Sequence, residues 1–216
     1  MLKISLLGVG LMGAPMSRRL LGAGHALTVW NRSPDKAQAL VAHGARLAPT
    51  PAQAVQEADL VITMLTDGHA VGQVLFGPAG DSAAQGLRPG TLVIDMSSIL
   101  PEEARAHAAK LSALGVASLD APVSGGTLGA EAGTLAIMAG GSTADFERAR
   151  QVLEVLGRPV HVGPIGSGQL TKLANQMIVG ITIGAVAEAL LLAEQGGADP
   201  TKVREALRGG FAESRI

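Results

Sequence analysis

Apolar residues in the first 165 positions fall into short runs, separated by stretches in which they recur every three or four places. "KISLLG" (3–8) reads as a strand and 11–23 as a helix. "ALTVW" (26–30) reads as a second strand, and "PDKAQALVAHG" (34–44) as a helix that Gly44 ends. "DLVITML" (59–65), "TLVIDM" (91–96), "ASLDAPV" (117–123), "TLAIMAG" (134–140) and "RPVHVG" (158–163) read as further strands. Helical segments lie between most of them, as at 101–114 and 143–156, and Pro34 and Pro101 sit near helix starts, where a missing N–H costs least. This alternation predicts an α/β fold with a mostly parallel sheet and helices on both faces.

From Gly168 the pattern changes. One helix is expected to run to about Gln195, followed by "GGADP" and a second helix from about 200 to 208. Glu188 is the only charge between Leu173 and Ala193, so the long helix is apolar nearly all round and needs cover on most sides. Its uncharged run, 177–187, is shorter than the ~20 residues of a membrane span. The expectation is a helix inside protein, with no membrane partner.

Composition narrows the class. Of 216 residues 47% are hydrophobic and 16% charged, with a net charge of −1, which allows a sizeable core and argues against disorder. No basic run appears and aromatics are nearly absent, so neither phosphate neutralisation nor base stacking has the residues it needs. With no cysteine there is no disulfide and no thiolate chemistry, which fits a reducing, cytoplasmic setting. The start, "MLKISLLGVG", does not read as a signal peptide, because its apolar run is short and glycines follow it. The five histidines are scattered without metal-ligand spacing.

"GVGLMG" matches G-x-G-x-x-G, follows a strand and opens a helix. Gly8 suits a tight turn, Gly10 the close approach of a pyrophosphate, and Gly13 close helix–sheet packing. The N–H groups around Leu11 and Met12 at the helix start favour phosphate. Placed in the first strand–helix unit, the motif predicts a Rossmann-type doubly wound sheet over 1–165. The long helix and the start of an all-α domain then occupy 166–216. The second strand ends "VWNRS", with Asn31, Arg32 and Ser33 where an NAD-binding chain usually carries a carboxylate for the ribose. A guanidinium suits a 2′-phosphate, so NADP is favoured over NAD, with a solvated loop arginine as the competing account.

Ligands collect at the C-terminal ends of such strands. Met64 and Leu65 read as cofactor walls or, more plainly, as core. "DMSS" offers the hydroxyls of Ser97 and Ser98, for a ligand or for capping the helix near Pro101. In "DAPVSGG", Ser124, Gly125 and Gly126 suit a small carboxylate or a plain turn. On the long helix Lys172 shares a face with Asn175 and Gln176. A partly desolvated lysine there can serve as the proton donor that a carbonyl oxygen needs when its carbon gains hydride, or it can snorkel to water.

"GVGLMGAPM", "DMSS", "DAPVSGG", "GTLAIMAGG" and "GSGQLTKLANQ" occur in this order. Together they make the chain resemble the β-hydroxyacid dehydrogenases, of the 3-hydroxyisobutyrate dehydrogenase and tartronate semialdehyde reductase kind, over essentially its whole length. The resemblance implies a hydride-transfer enzyme acting on a small 3-hydroxy or 3-oxo carboxylic acid, with Lys172 catalytic and Asn175 on the substrate. It also implies that Ser124, Gly125 and Gly126 grip the substrate carboxylate and that Ser98 lies near the nicotinamide. Family members continue for roughly another half-domain of helices beyond Ile216. The chain is therefore expected to be a fragment or to have lost that part, and to form a homodimer or homotetramer. The competing expectations are a catalytically silent NADP-binding module and an imine reductase-like relative.

Overall fold

The computed structural model describes residues 1–77 and 80–214. They form a first compact unit ending at Lys172 and a second beginning at Leu173. In the first unit the elements follow in order: β1 (Lys3–Leu7), α1 (Gly13–Gly22), β2 (Ala26–Trp30), α2 (Asp35–Val41), β3 (Arg46–Leu47), α3 (Pro51–Val55), β4 (Leu60–Thr63) and α4 (Gly68–Phe76). After a 3-10 turn, Ala83–Gln85, come β5 (Leu92–Asp95), α5 (Pro101–Ala113), β6 (Ala117–Asp120), β7 (Val123–Ser124), α6 (Gly126–Ala132), β8 (Leu135–Gly140), α7 (Thr143–Leu156) and β9 (Gly157–Gly163). The long helix α8 (Ser167–Gln195) begins in the first unit, and α9 (Pro200–Leu207) belongs to the second.

The sheet runs β3-β2-β1-β4-β5-β6 in parallel, the strand order of a doubly wound dinucleotide fold. β8 joins β6 and β7 antiparallel and pairs with β9 in parallel. Period-2 alternation builds two cores. Leu60, Ile62, Leu92 and Ile94 face a layer with Met16, Leu20 and Phe146; Val61 and Val93 face one with Val55, Val71, Leu75 and Leu111. Strands covered on both sides carry near-continuous apolar runs, which is why "LVIT" and "LVID" are wholly buried. β9 alternates partly buried and exposed positions and carries Pro159, whose missing N–H a sheet edge tolerates.

The expected doubly wound, mostly parallel sheet and the long helix are present. Several boundaries differ. The first helix starts at Gly13 rather than 11, because Gly10–Met12 form a turn. The expected strand 117–123 divides into β6 and β7 at Ala121-Pro122. Short helices α3 and α4 are capped by Thr50 and Asp67, whose side chains accept from the N–H groups of Gln53 and Ala70.

In the second unit, large side chains such as Met177, Ile178, Ile181 and Leu192 are exposed. By length and composition alone, Ser167–Gln195 is long and apolar enough to cross a membrane.

Asp95 and Asp120 are register partners at the ends of β5 and β6, and both are buried. Asp95 Oδ1 accepts from Thr63 Oγ1 at 2.8 Å and from Ser97 N–H at 3.0 Å, whereas Oδ2 has no partner among the described residues. Burial pushes its carboxyl up to about 6. The native state therefore binds more protons than the unfolded chain between about pH 4 and 6, so stability falls as pH rises through that window. Asp95→Asn keeps the Oδ1 acceptor and removes the buried charge. It is expected to stabilise the protein above pH 6, by at most about 3 kcal/mol. The gain should disappear below about pH 4 in urea unfolding curves.

Candidate active site

The cleft is built on two glycines. After β1 the chain turns at Gly8, with φ +109° and its N–H donated to the Trp30 carbonyl at 2.9 Å. A Cβ on Gly8 would stand 2.3 Å from the Met64 carbonyl oxygen, and one on Gly13 would stand 2.0 Å from that of Gly8. Both positions are therefore closed to any side chain. Val9 N–H donates to Asn31 Oδ1 at 2.9 Å, and Asn31 Nδ2 donates to the Ser33 carbonyl at 2.9 Å. Asn31 thus ties the glycine turn to the loop after β2.

Gly10 differs from its neighbours: a Cβ there would meet nothing within 4 Å. Among the described residues, the N–H groups of Gly10, Leu11 and Met12 donate to no protein group. Free donors at the start of α1, in open space, fit a bound diphosphate.

The cleft has a volume of about 920 Å³. It brings together Gly8, Gly10, Leu11, Met12, Gly13, Asn31, Arg32, Ser33, Met64 and Leu65, so Met64 and Leu65 are walls of the cleft as well as partners of the two cores. It lies at the ends of β1, β2 and β4, where the strand order reverses. Sequence reasoning missed Lys36, Thr66, Asp67 and Gln73, which also line the cleft. Lys36 stands four residues after Arg32, and Thr66-Asp67-Gly68 carries a helix-cap signal, so both were open to detection.

Ser98 does not line this cleft; it is exposed, between two buried neighbours. Neither serine of "DMSS" caps α5. The cap position is Leu100, whose N–H donates to Glu103 Oε2 at 2.9 Å. Ser97 Oγ instead accepts from Leu65 N–H at 2.9 Å and joins the end of β5 to that of β4. Ser124 ends β7, and Gly125 and Gly126 are exposed with φ of +137° and +61°, a backbone that calls for glycine with or without a ligand.

The base of α8 is fastened to strand ends. Asp120 Oδ1 accepts from Gly166 N–H at 2.7 Å, and Oδ2 accepts from Gln169 N–H at 2.8 Å. A Cβ on Gly168 would lie 2.3 Å from the Met138 carbonyl and 2.4 Å from that of Asp120, so only glycine allows this approach. The Gln169 amide accepts from Ile99 N–H at 3.1 Å and donates to the Ser97 carbonyl at 2.8 Å. Lys172 follows three residues on. It is half-buried and has no hydrogen bond or ion pair among the described residues, and burial pulls its pKa below the ordinary lysine value. Asn175 belongs to the second unit, where its Nδ2 donates to Gln176 Oε1 at 2.9 Å.

Residues 3–166 match the family model described as the NAD binding domain of 6-phosphogluconate dehydrogenase. Residues 166–216 match the model for the NAD-binding region of NADP-dependent 3-hydroxyisobutyrate dehydrogenase. The chain is 46% identical to 2-hydroxy-3-oxopropionate reductase of Escherichia coli, over 100% of its own length and 73% of that relative's.

The chain belongs to the NAD(P)-dependent β-hydroxyacid dehydrogenase family.

A second relative, 3-hydroxyisobutyrate dehydrogenase of Pseudomonas aeruginosa, is 43% identical over 96% of this chain and 70% of its own. Among solved structures, Mycobacterium tuberculosis 3-hydroxyisobutyrate dehydrogenase with L-serine superposes with a TM-score of 0.90 at 40% identity, covering 99% of this chain and 72% of that one. An imine reductase from Myxococcus stipitatus in complex with NADP+ superposes at 0.83 with 28% identity, covering 95% and 71%.

Within this dehydrogenase fold, Gly10 and Gly13 make separable demands. Gly10→Ala is expected to leave the melting temperature unchanged and to weaken dinucleotide binding by about tenfold or more. Gly13→Ala forces the Gly8 carbonyl to move and should lower the melting temperature itself. Thermal unfolding and cofactor-fluorescence titration of the two variants check both.

Proposed function

We propose that this dehydrogenase transfers hydride between NADP(H) and a small carboxylic acid with a 3-oxo or 3-hydroxy group, reduction of tartronate semialdehyde to glycerate being the leading reaction. The observation that carries the reading is Lys172, a half-buried ammonium without a counter-ion among the described residues, on a helix whose base is fastened to the ends of β5 and β6. The identity to the Escherichia coli reductase supports the choice of acid.

Arg32 and Lys36, both lining the cleft, support NADP over NAD. Asn31 stands where a ribose-binding carboxylate would otherwise be, and it is occupied with Val9 and Ser33. The free N–H groups of Gly10 to Met12 would hold the diphosphate, Met64 and Leu65 would flank the dinucleotide, and Ser98 would meet its nicotinamide end. Ser124, Gly125 and Gly126 would bind the substrate carboxylate, and Asn175 its polar end. When bound, the reduced nicotinamide supplies the hydride. Lys172 gives its proton to the carbonyl oxygen as that oxygen gains charge, and in the reverse direction the neutral amine takes the hydroxyl proton. A pKa lowered by burial favours both roles at neutral pH.

We propose a cytoplasmic homodimer or homotetramer; the exposed apolar side chains of α8 support the need for a covering partner, a role a second copy of the chain would fill.

NADPH oxidation should be seen with tartronate semialdehyde in a panel of short oxo acids. A protein that binds NADPH but reduces none of them would instead be a silent module, and preferential turnover of a cyclic imine would move it toward the imine reductases. Lys172→Ala is expected to lower kcat by about 10²–10⁴-fold while leaving NADPH affinity intact. Arg32→Ala should weaken NADPH binding by about 10–100-fold, with a far smaller effect on NADH. Equal losses for the two cofactors would refute the 2′-phosphate assignment.

A further inference from the structure

We propose that Gln169 is a positioning residue, which sets the separation between the Ser98 loop and the helix turn carrying Lys172; the proposal rests on the catalytic reading of Lys172. Gln169 is only 1% exposed, an uncharged amide buried at the start of a helix, and both ends of that amide are used. Its oxygen accepts from Ile99 N–H and its nitrogen donates to the Ser97 carbonyl, at 3.1 and 2.8 Å. These partners flank Ser98, so one side chain, from 70 residues downstream, grips the backbone on both sides of that hydroxyl. The Gln169 backbone is itself held, its N–H donated to Asp120 at 2.8 Å. Lys172 lies on the same helical face, about 4.5 Å further along the axis. Ser97 also receives the Leu65 N–H, so a continuous set of bonds leads from the cofactor wall through Ser97 and Gln169 to the turn of Lys172.

This bridge needs a neutral side chain that donates and accepts at once, at glutamine length. Asparagine is one methylene short. Methionine fills the space and leaves Ile99 N–H and the Ser97 carbonyl unpartnered. Ionised glutamate can accept from Ile99 but presents a second acceptor to the Ser97 carbonyl. Protonated glutamate again carries one donor and one acceptor.

The test is steady-state kinetics of Gln169→Met and Gln169→Glu in the full chain, per folded protein, with NADPH binding measured separately. For Gln169→Met we expect kcat to fall about 10²-fold, as an ångström-scale misplacement produces, with NADPH affinity kept within about twofold. For Gln169→Glu we expect the same loss at neutral pH and recovery toward acid pH, relative to the unmodified protein, as the carboxyl takes up its proton. A merely structural amide would lower the melting temperature of both variants without this kcat loss or pH-dependent rescue. Unchanged kcat in both variants overturns the proposal while leaving the Lys172 reading intact, provided Lys172→Ala is inactive. An active Lys172→Ala overturns the reading itself. If neither Gln169 variant folds, hydrogen exchange in the unmodified protein decides. The Ile99 amide should exchange as slowly as the β5 core, and fast exchange would sink the bridge.

Discussion

The carboxylate of Asp120 holds the molecule's working parts in register. It stands at the end of β6, buried, and takes two backbone N–H groups from the first turn of α8 and the loop before it. Without that grip the base of the helix would keep the close backbone approach at Gly168 and the two bonds of the Gln169 amide, and would lose its hold on β6. The arrangement is costly, since desolvation raises the Asp120 pKa despite its N–H partners, and Asp95 lies beside it with one oxygen unpartnered. Two buried carboxylates on neighbouring strands are a poor choice for stability. Their place at the C-terminal edge, beneath the turn that carries Lys172, is where a dehydrogenase gives up stability for geometry.

The sheet divides the site into two ends. The end proposed for the phosphates lies where β1, β2 and β4 diverge, and it is made mostly of backbone: a turn that excludes side chains at Gly8 and Gly13 and leaves three N–H groups without a partner among the described residues. The end proposed for the reaction lies over β5 and β6 and is made of side chains that hold other parts in place, Ser97, Asp120 and Gln169. Because β4 and β5 are paired in register, Ser97 can reach across from one end to the other and bind Leu65. A rigid sheet thus fixes the distance that the proposed reading assigns to the dinucleotide.

Much of this was legible in the sequence, for identifiable reasons. The alternation of buried strands with amphipathic helices carries the doubly wound fold, and "GVGLMG" marks the turn because sterics leave no other residue at two of its positions. The functions of Asn31, Ser97 and Gln169 were not legible. Each is a polar residue with at least one partner 22 to 72 residues away, and no local period records such a contact. "DMSS" misled in a specific way. A serine near a helix start reads as a cap, but Glu103 reaches back to Leu100 and leaves Ser97 for the sheet. Helices α3 and α4 were hidden by their shortness and by glycines within α4, although Thr50 and Asp67 announce both starts.

The neutrality of Gln169 bears on the proposed acid, Lys172, as well as on the anchor. Lys172 lies one turn further, so a carboxylate at 169 would form an i,i+3 pair with its ammonium and hold the proton more tightly. Burial lowers the Lys172 pKa, and no carboxylate among the described residues opposes it. Asp120 supplies negative charge to the helix base but spends both oxygens on backbone N–H groups. A neutral amide at 169 can therefore fasten the helix to the Ser98 loop without quenching the group that the helix presents. Anchor and proposed acid stay within one turn of each other, and the anchor is the dipole of an amide rather than the charge of an ion.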